Sequence, residues 1–220
     1  MNSITTQETR SDKGPVVAAG HAVIDELTVQ SWRDAGVLPG MRVITAGRGI
    51  GELSMLAAAT VGPKGSVVAV DSSTETIRRA ALRTSGAGAS RLSFTRQELA
   101  RLELGAPVDA ALVRSALLRL DNPWAALRGL ALSVKRGGLI VVQEIDDESV
   151  ASIAETMFAR LGRRSAGSPP EQHIAIQLNR IFRACGLRPP RLTLGGDVAS
   201  RHLREAGAAR PVFVSAMTCV

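Results

Sequence analysis

The chain has no tyrosine, only three histidines and two cysteines, and few aromatic residues of any kind. Each shortage excludes something. Cys185 and Cys219 have neither metal-ligand spacing nor enough partners for a disulfide framework, so no zinc or other metal site is expected and a cytoplasmic setting is. The scarcity of rings leaves no platform on which nucleic-acid bases could stack. The net charge is +7, yet Lys13, Lys64 and Lys135 are the only lysines, and the arginines are scattered in short groups such as Arg78-Arg79 and Arg163-Arg164. That dispersion argues against a nucleic-acid surface. No apolar run approaches the roughly 18 residues needed to cross a membrane. The polar opening residues do not read as a signal peptide.

What the chain does have is a dense stretch from Met41 to Asp71. Arg42 to Ala46 reads as a buried strand, Gly47-Arg48-Gly49-Ile50-Gly51 as a glycine turn, and Ile50 to Thr60 as an alanine-rich helix. Ser66 to Val70 then reads as a second strand, apolar enough to be covered on both faces, and Asp71 closes it. Glycines let a ligand approach the backbone, and a following helix turns free N–H groups toward the same place. Asp71 lies twenty residues beyond Gly51, the offset at which nucleotide-binding α/β units offer an acid to ribose hydroxyls. A dinucleotide fingerprint would carry a third small residue at position 52. Glu52 stands there instead and would repel a pyrophosphate. The expected ligand is therefore a nucleoside without phosphates that carries positive charge, a description S-adenosylmethionine fits.

The remaining chain alternates. A helix is expected over Gly20–Val37, with Val23, Leu27 and Trp32 inward. Another follows from Ser72-Ser73-Thr74 to about Arg83, and Ser85-Gly86-Ala87-Gly88 reads as a loop. Strands are expected at Arg91–Thr95, Val108–Val113 and Leu139–Glu144, with a helix over Pro123–Val134 and a turn at Arg136-Gly137-Gly138. Alternating strands and helices imply a parallel sheet with right-handed crossovers. Beyond Ile145 come an acidic turn (Asp146-Asp147-Glu148), a helix from Val150 to Leu161, a loop to Pro170 and a helix from Glu171 to Cys185. Candidate strands Arg191–Leu194 and Pro211–Met217 would pair antiparallel at the sheet edge, joined around Ser200–Gly207. The whole is a Rossmann-like α/β fold with a seven-stranded, mostly parallel sheet. A flexible tail over residues 1–19 precedes a single domain over 20–220, with a small lid at about 147–172.

Four segments in order now resemble the class I S-adenosylmethionine-dependent methyltransferases, in particular the small-molecule branch that includes ubiquinone- and menaquinone-biosynthesis-like enzymes. They are Leu38 to Gly51, Val61 to Ser73, Val108 to Pro123 and Val134 to Glu144. The resemblance implies that Gly47, Gly49 and Gly51 line the methionine end of the cofactor. It places Asp71 on the ribose hydroxyls, Ser72 and Glu98 by the adenine, and Arg114 between cofactor and substrate. The first glycine motif is degenerate. Thr45 stands where the family carries an acid, Arg48 where it carries a small residue, Arg136 replaces a proline before the glycine pair, and Arg119 replaces a histidine. An added cation beside a cationic cofactor should weaken it by about one to several kcal/mol, unless Arg48 turns to solvent or grips the methionine carboxylate.

Methyl transfer needs alignment and a dry pocket, and for some acceptors a base. His173, at the start of the helix after the proline-rich loop, is the candidate base, although a surface helix start explains it equally. His21 on the first helix is a candidate substrate contact, as is Arg114. The bland reading of Arg114 is an ion pair with Glu144 or Asp146. His202 is expected to be solvated. The expected activity is methyl transfer from S-adenosylmethionine, leaving S-adenosylhomocysteine, to an O, N or C atom of a small organic molecule, in natural product biosynthesis. Two rivals stay open: a scaffold without catalysis, and a cyclase-type enzyme with weakened or lost cofactor binding. A homodimer or a protein partner is compatible with either.

Overall fold

The computed structural model describes residues 15–85, 91–146, 170–195 and 212–220. The expected helix Val150–Leu161, most of the lid, His202, the Ser200–Gly207 connection, the Gly86–Gly88 loop and the first fourteen residues of the tail lie outside these. The described elements are α1 (Pro15–Ala35), β1 (Arg42–Gly47), α2 (Ile50–Val61), β2 (Ser66–Asp71), α3 (Thr74–Thr84), β3 (Leu92–Arg96) and β4 (Val108–Arg114). They continue with α4 (Pro123–Ser133), β5 (Val134–Asp146), α5 (Pro170–Ala184), β6 (Arg191–Gly195) and β7 (Val212–Cys219). Seven strands form one sheet in the order β3-β2-β1-β4-β5-β7-β6. All neighbours are parallel except β7, which runs antiparallel to both β5 and β6. The strand order reverses between β1 and β4, and open α/β sheets bind ligands at the carboxyl ends of strands at such a point.

Local chemistry explains where the elements begin. Ser73 caps α3 by accepting the Thr76 N–H at 3.2 Å. Asn122 caps α4 by accepting from Ala125 N–H at 3.0 Å, with Pro123 in the first turn where no N–H is needed. Burial then sorts the helices onto two faces. Trp32, Leu53 and Val61 pack with Val43, Leu112 and Val141 on the side of α1 and α2. Leu127, Leu130, Ile174, Leu178 and Phe182 pack with Ile44, Val113 and Val142 on the side of α4 and α5.

Two sequence expectations are corrected. Helix α1 starts at Pro15, five residues before the expected start at Gly20. Arg136-Gly137-Gly138 is no free turn; it lies within β5, a continuous strand of 13 residues. Gly137 adopts φ 77°, the pairing with β4 shifts register between Val108 and Ala110, and Gly137 N–H donates to Val220 O at 2.8 Å. A left-handed glycine inside a paired strand makes a bulge, which the sequence alone cannot tell from a turn.

Candidate functional site

The three glycines of the first turn sit in three different surroundings. A Cβ on Gly47 would lie 1.9 Å from the main-chain oxygen of Arg114, so β4 itself forbids a side chain there. A Cβ on Gly51 would meet Ala80 at 3.5 Å, an ordinary contact between α2 and α3. Gly49 has φ 69° and precedes α2, and a Cβ there would meet only two side-chain tips, Glu52 Oε2 at 3.5 Å and Arg114 Nη2 at 3.6 Å. Gly49 is thus the glycine whose Cβ side meets no main chain. The left-handed backbone makes it the residue suited to the place.

The rim is held by main-chain bonds between strand ends. Arg48 N–H donates to Arg114 O at 3.0 Å, and Ser115 N–H donates to Gln143 O at 2.7 Å. Ser115 has φ 50°, a left-handed value that is uncommon outside glycine, immediately after β4. Strain of this kind concentrates at functional sites. No sequence signal marked Ser115.

Arg114 is 8% exposed, and its guanidinium crosses from the glycine turn to α1. Nη1 donates to Asp25 Oδ1 at 2.6 Å and to Thr28 Oγ1 at 3.3 Å. The sequence offered Glu144 or Asp146 as its partner; the structure gives Asp25. Glu144 points the other way, because it sits one residue beyond Gln143 on β5 and successive strand residues face opposite sides. Gln143 belongs to the α1 side, donating through Nε2 to Thr28 O at 3.3 Å. Thr28 thus contacts both Arg114 and Gln143. Asp25, Thr28 and Gln143 escaped the sequence reading because nothing local indicates that α1 lies over the ends of β4 and β5.

Thr45 is fully buried and its hydroxyl lies 2.7 Å from Ser54 Oγ, whose own proton goes to Ile50 O at 2.6 Å. It ties β1 to α2 and presents no charge to the crevice. Arg48 is exposed. Asp71 is half-buried, and its Oδ1 accepts the Ser73 N–H at 2.8 Å. Gln97 N–H donates to Asp71 O at 3.0 Å, which brings the following residue, Glu98, alongside the end of β2. Ser72 and Glu98 are both exposed. His173 is half-buried in the first turn of α5, and His21 lies on α1. Among the described residues no cluster of His, Cys, Asp or Glu is suited to hold a metal, and no helix is long and apolar enough to cross a membrane.

Glu144 is the unusual group on the far face. Burial pushes its carboxyl up to about 7, against the backbone N–H groups of Leu118, Leu117 and Ala116 and the nearby Arg119 charge, which pull the other way. Leu118 N–H reaches Oε1 at 3.2 Å, whereas Oε2 has no hydrogen-bond partner among the described residues. It braces the loop that follows Arg114 and Ser115.

The comparisons with known proteins agree with this geometry. A family profile described as a methyltransferase domain matches residues 38–175. No curated protein matches the chain in sequence. A S-adenosylmethionine-dependent methyltransferase from Aquifex aeolicus superposes with a TM-score of 0.60 at 19% identity, covering 94% of this chain and 100% of that one. The magnesium protoporphyrin IX methyltransferase of Synechocystis PCC 6803, solved with bound S-adenosylhomocysteine, gives 0.59 at 18% identity over 90% and 83%. The [4+2]-cyclase SpnF gives 0.64 at 18% identity over 89% and 80%. With its profile match spanning more than half its length and its glycine turn, Asp71 and strand order all in the arrangement described, the chain belongs to the class I S-adenosylmethionine-dependent methyltransferases.

Proposed function

We propose that the chain binds S-adenosylmethionine in the crevice at the carboxyl ends of β1, β2 and β4 and transfers its methyl group to an O, N or C atom of a small organic molecule. The observation that carries this reading is the opening at Gly49, bordered by Glu52 and Arg114, on the same rim as the Asp71 carboxylate. A dinucleotide is disfavoured because its pyrophosphate at the start of α2 would face Glu52. The cofactor, when bound, supplies an activated methyl group on a sulfonium centre. Asp71 would accept from the ribose hydroxyls, with Ser72 and Glu98 beside the adenine. Arg114, with His21 on α1, would contact the acceptor. His173 would take the proton of an O–H or N–H acceptor, and α1 would help exclude water from the site.

Calorimetric titration of the whole chain with S-adenosylmethionine and S-adenosylhomocysteine tests the proposal. Saturable binding in the micromolar range supports it; no binding at millimolar ligand would contradict it. One observation favours a second reading. Thr45 is spent on Ser54, so β1 brings no acid to a cationic ligand, and a fold member with weak cofactor binding could serve as a scaffold or as a non-methylating catalyst of the cyclase kind. Saturable binding without methyl transfer to any acceptor in a panel would select that second reading.

A further inference from the structure

Two consecutive residues of β5 grip the segment that follows β4, one on each face of the sheet. On the α1 face, Gln143 O accepts the Ser115 N–H at 2.7 Å and Gln143 Nε2 donates to Thr28 O at 3.3 Å. Thr28 Oγ1 in turn accepts from Arg114 Nη1 at 3.3 Å. On the opposite face the buried Glu144 carboxyl accepts the Leu118 N–H on Oε1 at 3.2 Å, and the N–H groups of Leu117 and Ala116 also act on it. Ser115 lies between the two grips, buried, with φ 50°. A residue other than glycine keeps that conformation only where its surroundings over-determine it. The carboxyl supplies part of that determination, because it gathers the N–H groups that come directly after the turn.

We infer that Glu144 is a positioning residue: by holding Ala116 to Leu118 from the far face, it maintains the Ser115 turn and so keeps Arg114 set against Asp25 and Thr28 at the rim. The inference rests on the proposed function for the ligand at that rim, whereas the brace itself can be measured without one. The charged groups around Glu144 are few. Arg119, on the braced segment, favours its ionised form. From α4 comes Arg128, and from α5 come Arg180 and Arg183, all three exposed, with His173 half-buried. Strand β7 places Val214 opposite Glu144, and Asp146 stands two positions further along β5. Burial outweighs these influences and keeps the carboxyl protonated up to about 7.

The test uses the whole chain, with amide hydrogen exchange to read the brace and S-adenosylhomocysteine titration to read the rim. Glu144→Leu fills the space but offers no acceptor. It should lower protection of the Ser115 and Leu118 amides by about ten-fold or more, beyond any change at the Ile44 amide of β1, which reports global stability. It should also weaken S-adenosylhomocysteine by about three-fold or more, as the competent rim becomes less populated. Glu144→Gln keeps an oxygen for Leu118 and should retain both properties. Ser115→Gly added to Glu144→Leu should recover part of the affinity, since glycine takes the left-handed turn unaided. The second measurement does not depend on Glu144→Leu folding. Opening the brace exposes a carboxyl whose ordinary value is 4.5, so opening is favoured as pH rises from 4.5 to about 7. Leu118 protection, corrected for intrinsic exchange, should therefore fall in the parent by up to about 300-fold over that range and stay flat in Glu144→Gln. Flat protection in the parent, or a loss at Leu118 in Glu144→Leu no larger than at Ile44, overturns the brace. Altered protection with unchanged S-adenosylhomocysteine affinity overturns the positioning of the rim. No binding by the parent at millimolar ligand overturns the proposed function and the ligand role of Glu144 with it, and exchange then decides the brace by itself.

Discussion

Under α4 and α5 the sheet meets Leu127, Leu130, Ile174, Leu178 and Phe182, all of them buried. Under α1 it meets a seam of polar groups. Ser31 Oγ lies 2.6 Å from Ser215 Oγ, Thr28 contacts Arg114 and Gln143, and Asp25 pairs with Arg114. Gln143 Oε1 and Trp32 Nε1 find no hydrogen-bond partner among the described residues. The first face is held by apolar burial, which is strong and indifferent to direction. The second has an apolar core of its own around Trp32, Leu53 and Leu112, and adds to it a seam of directional bonds of small net worth, with unpaired groups that detract from it. The difference separates a face packed almost wholly by apolar side chains from one where polar groups reach the ends of β4 and β5.

The largest expected effect lies on the apolar face. Phe182→Ala should destabilise the chain by about 3–5 kcal/mol, read from denaturant unfolding. S-adenosylhomocysteine affinity of the folded fraction should stay constant, and a large loss of affinity there would blur the separation. Glu144 comes next, a buried carboxyl on that face. The folded chain keeps its proton up to about 7, whereas the unfolded chain releases it near the ordinary 4.5. Stability should therefore fall as pH rises from 4.5 to 7 and level off above. Glu144→Gln should abolish the slope and be more stable than the parent at pH 8 by roughly 1–3 kcal/mol. A parent with flat stability across that range would show that Glu144 is not buried as described.

The polar seam should respond more weakly. Ser31→Ala or Ser215→Ala alone leaves one buried hydroxyl without its partner and should cost about 1–2 kcal/mol. The double change should cost less than the sum of the two. Strict additivity would mean that the two hydroxyls do not bond. Smallest of all, Leu132→Gln on the outer side of α4 should alter unfolding free energy by less than about 0.5 kcal/mol, since Leu132 is 81% exposed. A larger loss would point to a surface covered in solution.

Much of this was legible in the chain because buried parallel strands are written as apolar runs. Val43 to Ala46, Val67 to Val70 and Ala110 to Val113 gave themselves away, as did the helix starts at Ser72-Ser73-Thr74 and Pro123. The seam was illegible for an equally physical reason. Asp25 and Arg114 are 89 residues apart, and no local pattern selects Asp25 over the nearer acids Glu144 and Asp146. The roles of the glycines were only half readable. A glycine demanded by the crossing main chain, as at Gly47, looks in sequence like one whose Cβ side meets no main chain, as at Gly49.

The central claim is that the rim from Gly49 to Asp71 receives an adenosine compound, and Asp71→Asn tests it most directly. Asp71 would serve the ribose, which S-adenosylhomocysteine and 5′-methylthioadenosine share. The account predicts that this single change weakens both by a similar factor of about ten or more in calorimetric titration. Unaltered affinity for both ligands in Asp71→Asn would contradict it.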